Sequence, residues 1–183
     1  MKDKKDVENR KNVKTCSCDK NKECPLQGKC LTKSVVYCAE VRVKGRKKMN
    51  RREENELEIL ERYERRRGEN FKPREAEFYT GLTEGTIKDR MYKHNYDFKH
   101  RNFEKRTNLS KYVWKLKDHK YNFEIKWKIL SRAKSYNSAT KNCNLCTKEK
   151  YYIIFKPEAS TLNENNEILK KCMHRKKWII QDN

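Results

Sequence analysis

The chain has 183 residues, and its 47 lysines and arginines outnumber its 26 aspartates and glutamates, which gives a formal net charge of +21. This charge favours a polyanionic partner, with nucleic acid the leading one. We expect no membrane partner, because no apolar run approaches the roughly 20 residues of a spanning helix and the N-terminus lacks the apolar segment of a signal peptide.

The N-terminal part of the chain is predicted to fall into two segments. Residues 1–15 are polar and lack hydrophobic periodicity, which is typical of a disordered lead. Residues 16–33 are poor in apolar side chains but contain four cysteines, which we expect to be reduced because no export signal precedes them. Clustered reduced thiols favour a zinc site, with free thiols on loops as the alternative. The four candidate ligands are Cys16, Cys18, Cys24 and Cys30.

Residues 34–180 are predicted to form one α/β (α+β) domain, a small three-stranded antiparallel sheet flanked by helices. SVVYCAEVRV alternates with a period of two and is rich in β-branched residues, which predicts the first strand. EFYTGLT, ending at Gly81, predicts the second, and the alternation in NFEIKWKIL is typical of a half-buried antiparallel third strand. Cys38, on the strand face opposite Tyr37, is expected to lie in the core.

Four helices are predicted around these strands. TEGTIKDRMYKHNYDF has Thr83 as its N-cap, Asn108 or Ser110 caps LSKYVWKLKDH, and two later helices lie in CNLCTKEKYYIIF and TLNENNEILKKCMH. The stretch from about residue 44 to residue 77 is dense in both charges and poor in apolar residues. We interpret it as an insertion that is either a solvated helix or a disordered loop.

A second zinc site is predicted near the C-terminus. Cys143 and Cys146 have the C-x2-C spacing of a zinc knuckle, and Cys172 with His174 supplies two further ligands, enough for a tetrahedral site. Such a site would join the helix that contains Glu149 to the C-terminal helix.

Two basic stretches are candidates for DNA contacts. Lysines and arginines are interleaved with aromatic residues in KDRMYKHNYDFKHRNFEKR and again in KYVWKLKDHKYNF. Phosphate contacts from such a surface would be salt-sensitive and largely independent of DNA sequence. Trp114 and Phe123 are expected to belong to the core instead.

Five residues predict phosphodiester chemistry. Tyr37 and Tyr79 lie near strand ends, Arg90 and His94 are one turn apart on the following helix, and Glu149 lies on a later one. Phosphodiester hydrolysis needs a cation, a proton acceptor and positive charge for the transition state, and this set offers all three. The alternative is structural: core packing for the first tyrosine, and surface or phosphate-contacting positions for the charged residues.

The order of the motifs resembles that of a known family, the GIY-YIG endonucleases of Penelope-like retroelements. VVY is followed by YTGLT, TIKDRMYKH, LSKYVWKLK, CNLCTKEKYYII and TLN, and CPLQGKC and CMHRKK extend the resemblance from about Cys16 to Ile179. It implies a metal-dependent DNA endonuclease of the nucleus that nicks DNA to make a 3′ hydroxyl primer for reverse transcription. The reverse transcriptase would lie upstream in a longer protein or on another chain.

The resemblance also implies a role for each site residue. Tyr37 and Tyr79 would be the two motif tyrosines, Arg90 the arginine near the scissile phosphate, and Glu149 the single carboxylate that binds catalytic Mg²⁺ or Mn²⁺. Zn²⁺ at the cysteine clusters would be structural.

Two further residues complete the implied site. Asn163 matches a late asparagine that supports it, and His94 is placed to relay a proton from Tyr37. Tyr37 or its neighbours would activate water, which requires nearby positive charge to lower the pKa of this phenol from about 10. The basic surroundings lead us to expect such a lowering.

The chain departs from the family in three places. Val35 and Val36 replace the glycine and isoleucine of the first motif, and Thr80 replaces the middle residue of the second, all strand-compatible changes. About forty residues separate Tyr37 from Tyr79 where the family has a short hairpin, so we expect the insertion to loop out and leave the strands paired. The alternative functions are a catalytically inactive, zinc-stabilised nucleic-acid-binding module and a basic structural protein.

Overall fold

The computed structural model describes residues 15–18, 23–137, 139, 141–172 and 174. The predicted disordered lead, apart from its last residue, and the end of the predicted domain beyond residue 174 lie outside the described residues. In chain order the elements are β1 (Lys33–Arg46), α1 (Arg51–Arg66), β2 (Ala76–Thr86), α2 (Ile87–Asp97), a 3₁₀-helix (Arg101–Arg106), α3 (Asn108–Asp118), β3 (Tyr121–Arg132), β4 (Tyr136–Asn137), β5 (Asn142–Cys143), α4 (Asn144–Phe155), a second 3₁₀-helix (Pro157–Ala159) and α5 (Asn165–Leu169).

Three strands form one antiparallel sheet in the order β2-β1-β3, which confirms the predicted sheet flanked by helices. Tyr37 in the central strand is paired with Gly81, and Ala39 is paired with Tyr79. Residues two apart on a strand point to the same face, so Tyr37 and Tyr79 are diagonal neighbours on one face of the sheet. β4 and β5 form a separate two-stranded sheet just before α4.

The charged insertion is a helix and leaves the strands paired. β1 and β2 pair without a register shift from Arg42 opposite Ala76 to Val35 opposite Thr83, and the chain between the two strands contains α1. A capping box at Asn50 and Glu53 begins α1. The helix is mostly exposed. It is anchored by the buried Leu57 and by contacts of its glutamates, such as that of Glu64 with His119 at 3.1 Å.

The start of α2 lies later along the chain than predicted, and the N-cap of α3 lies earlier. The predicted cap Thr83 lies inside β2 opposite Val35, because the strand does not end at Gly81 but continues to Thr86. Thr86 caps α2, and its Oγ1 accepts from the backbone N–H of Asp89. For α3, the cap is Thr107 rather than Asn108 or Ser110, and its Oγ1 accepts from the backbone N–H of Ser110. The fourth predicted helix is reduced to the short α5.

The main core lies on the sheet face that carries Tyr37, and α2 and α3 cover it. Phe123 packs against this core, as expected, whereas Trp114 is half-buried and donates from Nε1 to the carbonyl of Asp97 at 3.0 Å. Cys38 is buried on the opposite face, as expected. Within the described residues no helix is both long and apolar enough to cross a membrane. The fully buried side chains of the main core include Val35, Tyr37, Val41, Ile87, Leu109, Val113 and Leu116.

Candidate active site

A cleft of about 540 Å³ brings three of the predicted catalytic residues to one place. Tyr79 reaches it from β2, Arg90 from α2 and Glu149 from α4. A wider cavity of about 650 Å³ beside Lys33 and Arg132 is lined by no carboxylate and by none of the predicted catalytic residues. The other charged residues of the cleft are Arg106, Lys150, Glu167, Lys170 and Lys171. Cations therefore surround a pair of carboxylates, an arrangement that suits a polyanion and a divalent metal ion together.

Tyr37 and His94 lie beneath the cleft and hold Arg90. Arg90 donates from Nε to the hydroxyl oxygen of Tyr37 at 2.9 Å, and the same hydroxyl is 2.7 Å from Nε2 of His94. The buried hydroxyl of Tyr37 therefore contacts the guanidinium and the imidazole at once. The ring of Tyr79 lies edge-on to His94 with the centroids 6.0 Å apart. The four residues form one connected group.

The pKa of Tyr37 differs from the prediction. Burial raises the pKa of Tyr37, although the charge and hydrogen bond of Arg90 act to lower it. The prediction that basic surroundings lower this pKa is wrong, because the hydroxyl is fully buried and desolvation of the phenolate outweighs one arginine. Burial likewise raises the pKa of Tyr79 well above its usual value. At neutral pH both tyrosines keep their protons, and Tyr37 positions Arg90 through its hydroxyl oxygen.

His94 makes the folded state sensitive to acid. Burial, helped by Arg90 and Arg106, lowers the pKa of His94 from 6.5 to about 3. Below pH 6.5 the unfolded chain binds a proton that the folded chain rejects, so stability is complete above pH 6.5 and falls as pH decreases towards 3. We expect a loss of about 3 kcal/mol between pH 7 and pH 4.5 that is absent in His94→Gln. Urea unfolding at both pH values measures it, with the exposed His100→Gln as control; equal losses in wild type and His94→Gln would contradict the assignment.

Gly81 is required by the closeness of the two tyrosines. A Cβ at this position would lie 2.6 Å from the Tyr37 hydroxyl oxygen and 3.0 Å from Cε1 of Tyr79. Gly81→Ala is therefore expected to lower the free energy of unfolding by about 1–3 kcal/mol, since the tyrosines must move to admit the methyl group. Gly85→Ala on the same strand is the control, because its Cβ would meet nothing closer than 3.8 Å. Equal urea midpoints for the two variants would show that the Tyr37 side chain can move aside without loss of folding stability.

Asn163 joins the C-terminal segment to β2 and to a second acidic residue. Its Oδ1 accepts from the backbone N–H of Thr80, and its Nδ2 donates to the carbonyl of Thr80, both at 2.8 Å. Nδ2 also donates to Oε2 of Glu167 at 2.8 Å. The Thr80 hydroxyl is used as well, donating to the carbonyl of Ala159 at 2.8 Å. Asn163 thus supports the site by fixing the carboxylate of Glu167.

Glu149 and Glu167 line the same cleft, and their charges interact. Burial raises the pKa of Glu149 to about 7, and the negative charge of Glu167 adds to the rise. Within the described residues Glu149 makes no hydrogen bond or ion pair. Glu149 and Glu167 thus give one side of the cleft a local negative charge. Sequence reasoning missed Glu167; the available signal was its position four residues after Asn163 in a helical segment.

The C-terminal cysteine cluster is assembled as predicted and could hold a metal ion such as zinc. Nδ1 of His174 lies 3.3 Å from the Sγ atoms of Cys143 and Cys146 and 3.5 Å from that of Cys172. Zinc bonds of about 2.3 Å to sulfur and 2.1 Å to nitrogen place tetrahedral ligand atoms about 3.5–3.8 Å apart, close to these separations. Nε2 of His174 faces a carboxylate oxygen of Glu84 at 3.9 Å, an orientation typical of zinc-binding histidines.

The N-terminal cysteine cluster also brings its four Sγ atoms within 4.8 Å of one another and could hold a metal ion. The segment packs on the domain, since Leu26 and Cys30 belong to the main core. It also contacts the start of α2: the carbonyl of Cys30 accepts from the backbone N–H of Lys88 at 2.9 Å. One cluster therefore supports the helix of Arg90, and the other lies at the start of the helix of Glu149. The N-terminal ligand atoms are those of Cys16, Cys18, Cys24 and Cys30.

The six predicted catalytic residues lie in the cleft or next to residues that line it. Tyr79, Arg90 and Glu149 line the cleft, and the remaining three support it from beneath or from the side: Tyr37, His94 and Asn163. Comparisons of the chain with protein-family models, with curated proteins and with solved structures give no match. The function is therefore inferred from the geometry of the cleft and the order of the motifs.

Proposed function

We propose that the chain is a metal-dependent DNA endonuclease domain of the GIY-YIG type, similar to those of Penelope-like retroelements. The observation that supports it best is the convergence of Arg90, Glu149 and Glu167 in one basic cleft above Tyr37. The resemblance of the motifs supplies the reaction: hydrolysis of one DNA strand, leaving a 3′ hydroxyl that primes reverse transcription. The reverse transcriptase would be an upstream region or another chain, and the reaction would take place in the nucleus.

The residues of the cleft divide the chemistry among them. Glu149 would hold Mg²⁺ or Mn²⁺, which when bound polarises a phosphate oxygen and stabilises the leaving oxygen. Arg90 would bind the scissile phosphate and stabilise the charge of its pentacovalent state. Tyr37 and His94 keep the guanidinium of Arg90 directed, because its Nε is committed to the buried hydroxyl.

The proton of the attacking water needs an acceptor other than a tyrosine. Both tyrosines hold their protons at neutral pH, and His94 is buried beneath Arg90. Glu167 is the carboxylate that remains beside Glu149, and Asn163 orients it. We assign to Glu167 the acceptance of this proton as water adds to phosphorus. The bond from phosphorus to the 3′ oxygen breaks, and the departing 3′ oxygen takes a proton from solvent to become the hydroxyl.

A second candidate function is a zinc-stabilised module that binds nucleic acid without cutting it. The two cysteine clusters and the net charge of +21 favour it equally. Incubation of supercoiled plasmid with the purified protein and Mg²⁺ or Mn²⁺ separates the two. The endonuclease proposal predicts open circles that a DNA polymerase can extend, and EDTA should prevent their formation. Plasmid binding with no metal-dependent nicking would reject the endonuclease and favour the binding module.

A further inference from the structure

Arg106 lines the cleft but has no role in the chemistry described so far. It is the last residue of the 3₁₀-helix Arg101–Arg106, and its side chain borders the cleft together with Arg90 and Glu149. We propose that Arg106 binds a backbone phosphate of DNA adjacent to the one that is cut, and so holds the strand in register with Arg90. The inference rests on the proposed function for the presence of a DNA strand in this cleft.

Arg106 is held in place from its inner side. Its Nη1 donates to Oδ1 of Asp97 at 3.0 Å, and its guanidinium lies over the ring of Phe103, 5.4 Å from the centroid. Asp97 is the last residue of α2, and its side chain is only 4% exposed. The position of its carboxylate is therefore fixed by the surrounding protein. An arginine anchored along one edge loses little freedom when a ligand binds its other edge.

The outer side of the guanidinium remains open. The side chain is 56% exposed, and among the described residues Asp97 alone accepts its hydrogen bonds. A guanidinium has five N–H donors in a planar fork that matches two oxygens of a phosphate. Arg106 forms no ion pair with Glu149 or Glu167, so an incoming phosphate has no such pair to displace. The arrangement fits an anion that approaches from solvent.

Two arginines at one cleft suit the repeat of a DNA backbone. Arg90 is half-buried, with its Nε committed to Tyr37, whereas Arg106 is exposed. Both arginines line the same cleft. A DNA strand has one phosphate per nucleotide. A strand that brings one phosphate to Arg90 therefore brings the adjacent phosphate to another side chain of the cleft. Arg106 is the arginine available to receive it.

Arg101 provides a matched control at the other end of the same 3₁₀-helix. Its side chain is also 56% exposed, it forms an ion pair with Asp118 at 2.6 Å, and its guanidinium lies over the ring of Trp114. Unlike Arg106, it does not line the cleft.

The test measures binding of a fluorescently labelled DNA duplex by anisotropy at several salt concentrations with Mg²⁺. All proteins carry Glu149→Gln, so that the duplex stays intact. Arg106→Ala is expected to weaken binding about tenfold and to reduce the slope of log K against log salt by about 0.9, the loss of one phosphate contact. Arg101→Ala should change neither quantity. An unchanged slope in Arg106→Ala, or an equal loss in Arg101→Ala, would overturn the proposal.

Two further variants separate binding from folding. Arg106→Gln retains a hydrogen-bond donor for Asp97 but removes the charge. It should reduce the slope of log K against log salt by the same amount, even where Arg106→Ala is too unstable to be measured. Arg106→Lys should restore the slope but not the full affinity, because an ammonium lacks the planar fork. The nicking assay is performed separately on proteins that retain Glu149. An Arg106 effect on binding without any nicking would reject the endonuclease alone, and nicking without an Arg106 effect on binding would reject the phosphate contact alone.

Discussion

Glu149→Gln is expected to reduce the rate of metal-dependent nicking about a thousandfold. The amide has nearly the shape of the carboxylate but carries no charge, so the cation would lose the ligand that α4 brings into the cleft. Metal stabilisation of the developing charge contributes several kcal/mol to such reactions, and each 1.36 kcal/mol corresponds to a factor of ten in rate. Plasmid nicking under single-turnover conditions measures the effect. Glu158→Gln, at an exposed glutamate just beyond α4, should nick like wild type.

The same substitution is expected to stabilise the metal-free protein. Burial and Glu167 raise the pKa of Glu149 to about 7, above its usual 4.5, so the folded chain retains a proton that the unfolded chain releases between these pH values. Folding stability therefore falls as pH rises from about 4.5 to 7, and at pH 8 the ionised carboxylate costs at most about 3 kcal/mol. Glutamine, which mimics the protonated acid, should remove this cost.

Loss of activity together with gain of stability is a combination that misfolding does not produce. Urea unfolding of both proteins at pH 8 in EDTA provides the second measurement. A variant that nicks at the wild-type rate would exclude Glu149 from the chemistry. A variant that is inactive and also less stable would point to a structural role for this carboxylate in α4.

The sheet and the pairing of the tyrosines were accessible from sequence because they depend on local alternation. β-branched residues with a period of two predict β1, and the closure cost of a long insertion rises only slowly with its length, so Tyr37 and Tyr79 could be expected to meet. The state of the insertion itself was not accessible. Leu57 is the only buried residue of α1, and tertiary contacts such as Glu64 with His119 decide that the segment is a helix.

Glu167 and the caps could not be predicted for a related reason. Asn163 contacts Thr80 across 83 residues of sequence, and this contact is what brings Glu167 to the cleft. Thr83 and Thr86 have equal capping ability, and only the pairing of β2 with β1 to its last residue selects Thr86. The high pKa of Tyr37 likewise depends on its complete burial, which a list of nearby charges does not reveal.

Metal ions in the two cysteine clusters would explain how so lean a core could hold the proposed catalytic cleft. α4 is weakly anchored by apolar contacts: Leu145 is its one fully buried side chain, and its C-terminal half exposes Ile154 and Phe155. Its N-cap is Cys143, a member of the C-terminal cluster, and Cys146 of the same cluster lines the cleft. A metal ion in this cluster would therefore supply the restraint on Glu149 that packing does not.

Cys146→Ser is accordingly expected to remove one of two bound zinc ions per chain and to reduce nicking about 10–100-fold at saturating Mg²⁺. A serine hydroxyl is a poor zinc ligand, so the cluster loses its metal and α4 loses its anchor. Zinc content by metal analysis and nicking rate are measured together. Cys38→Ala is the control, because Cys38 is buried but belongs to neither cluster, and it should retain both zinc ions and most of the activity.

We expect the two cysteine clusters to affect different steps, because each contacts a different helix of the cleft. Cys16→Ser should release the N-terminal ion and loosen the start of α2, where Lys88 bonds to Cys30, so its effect should fall on Arg90 and hence on DNA binding as well as rate. Cys146→Ser should instead leave DNA affinity nearly unchanged, because Glu149 acts on the cation. Wild-type zinc content and nicking in Cys146→Ser would exclude a metal from the C-terminal cluster. Equal losses of DNA affinity in the two variants would show that the clusters stabilise the whole domain and not separate helices.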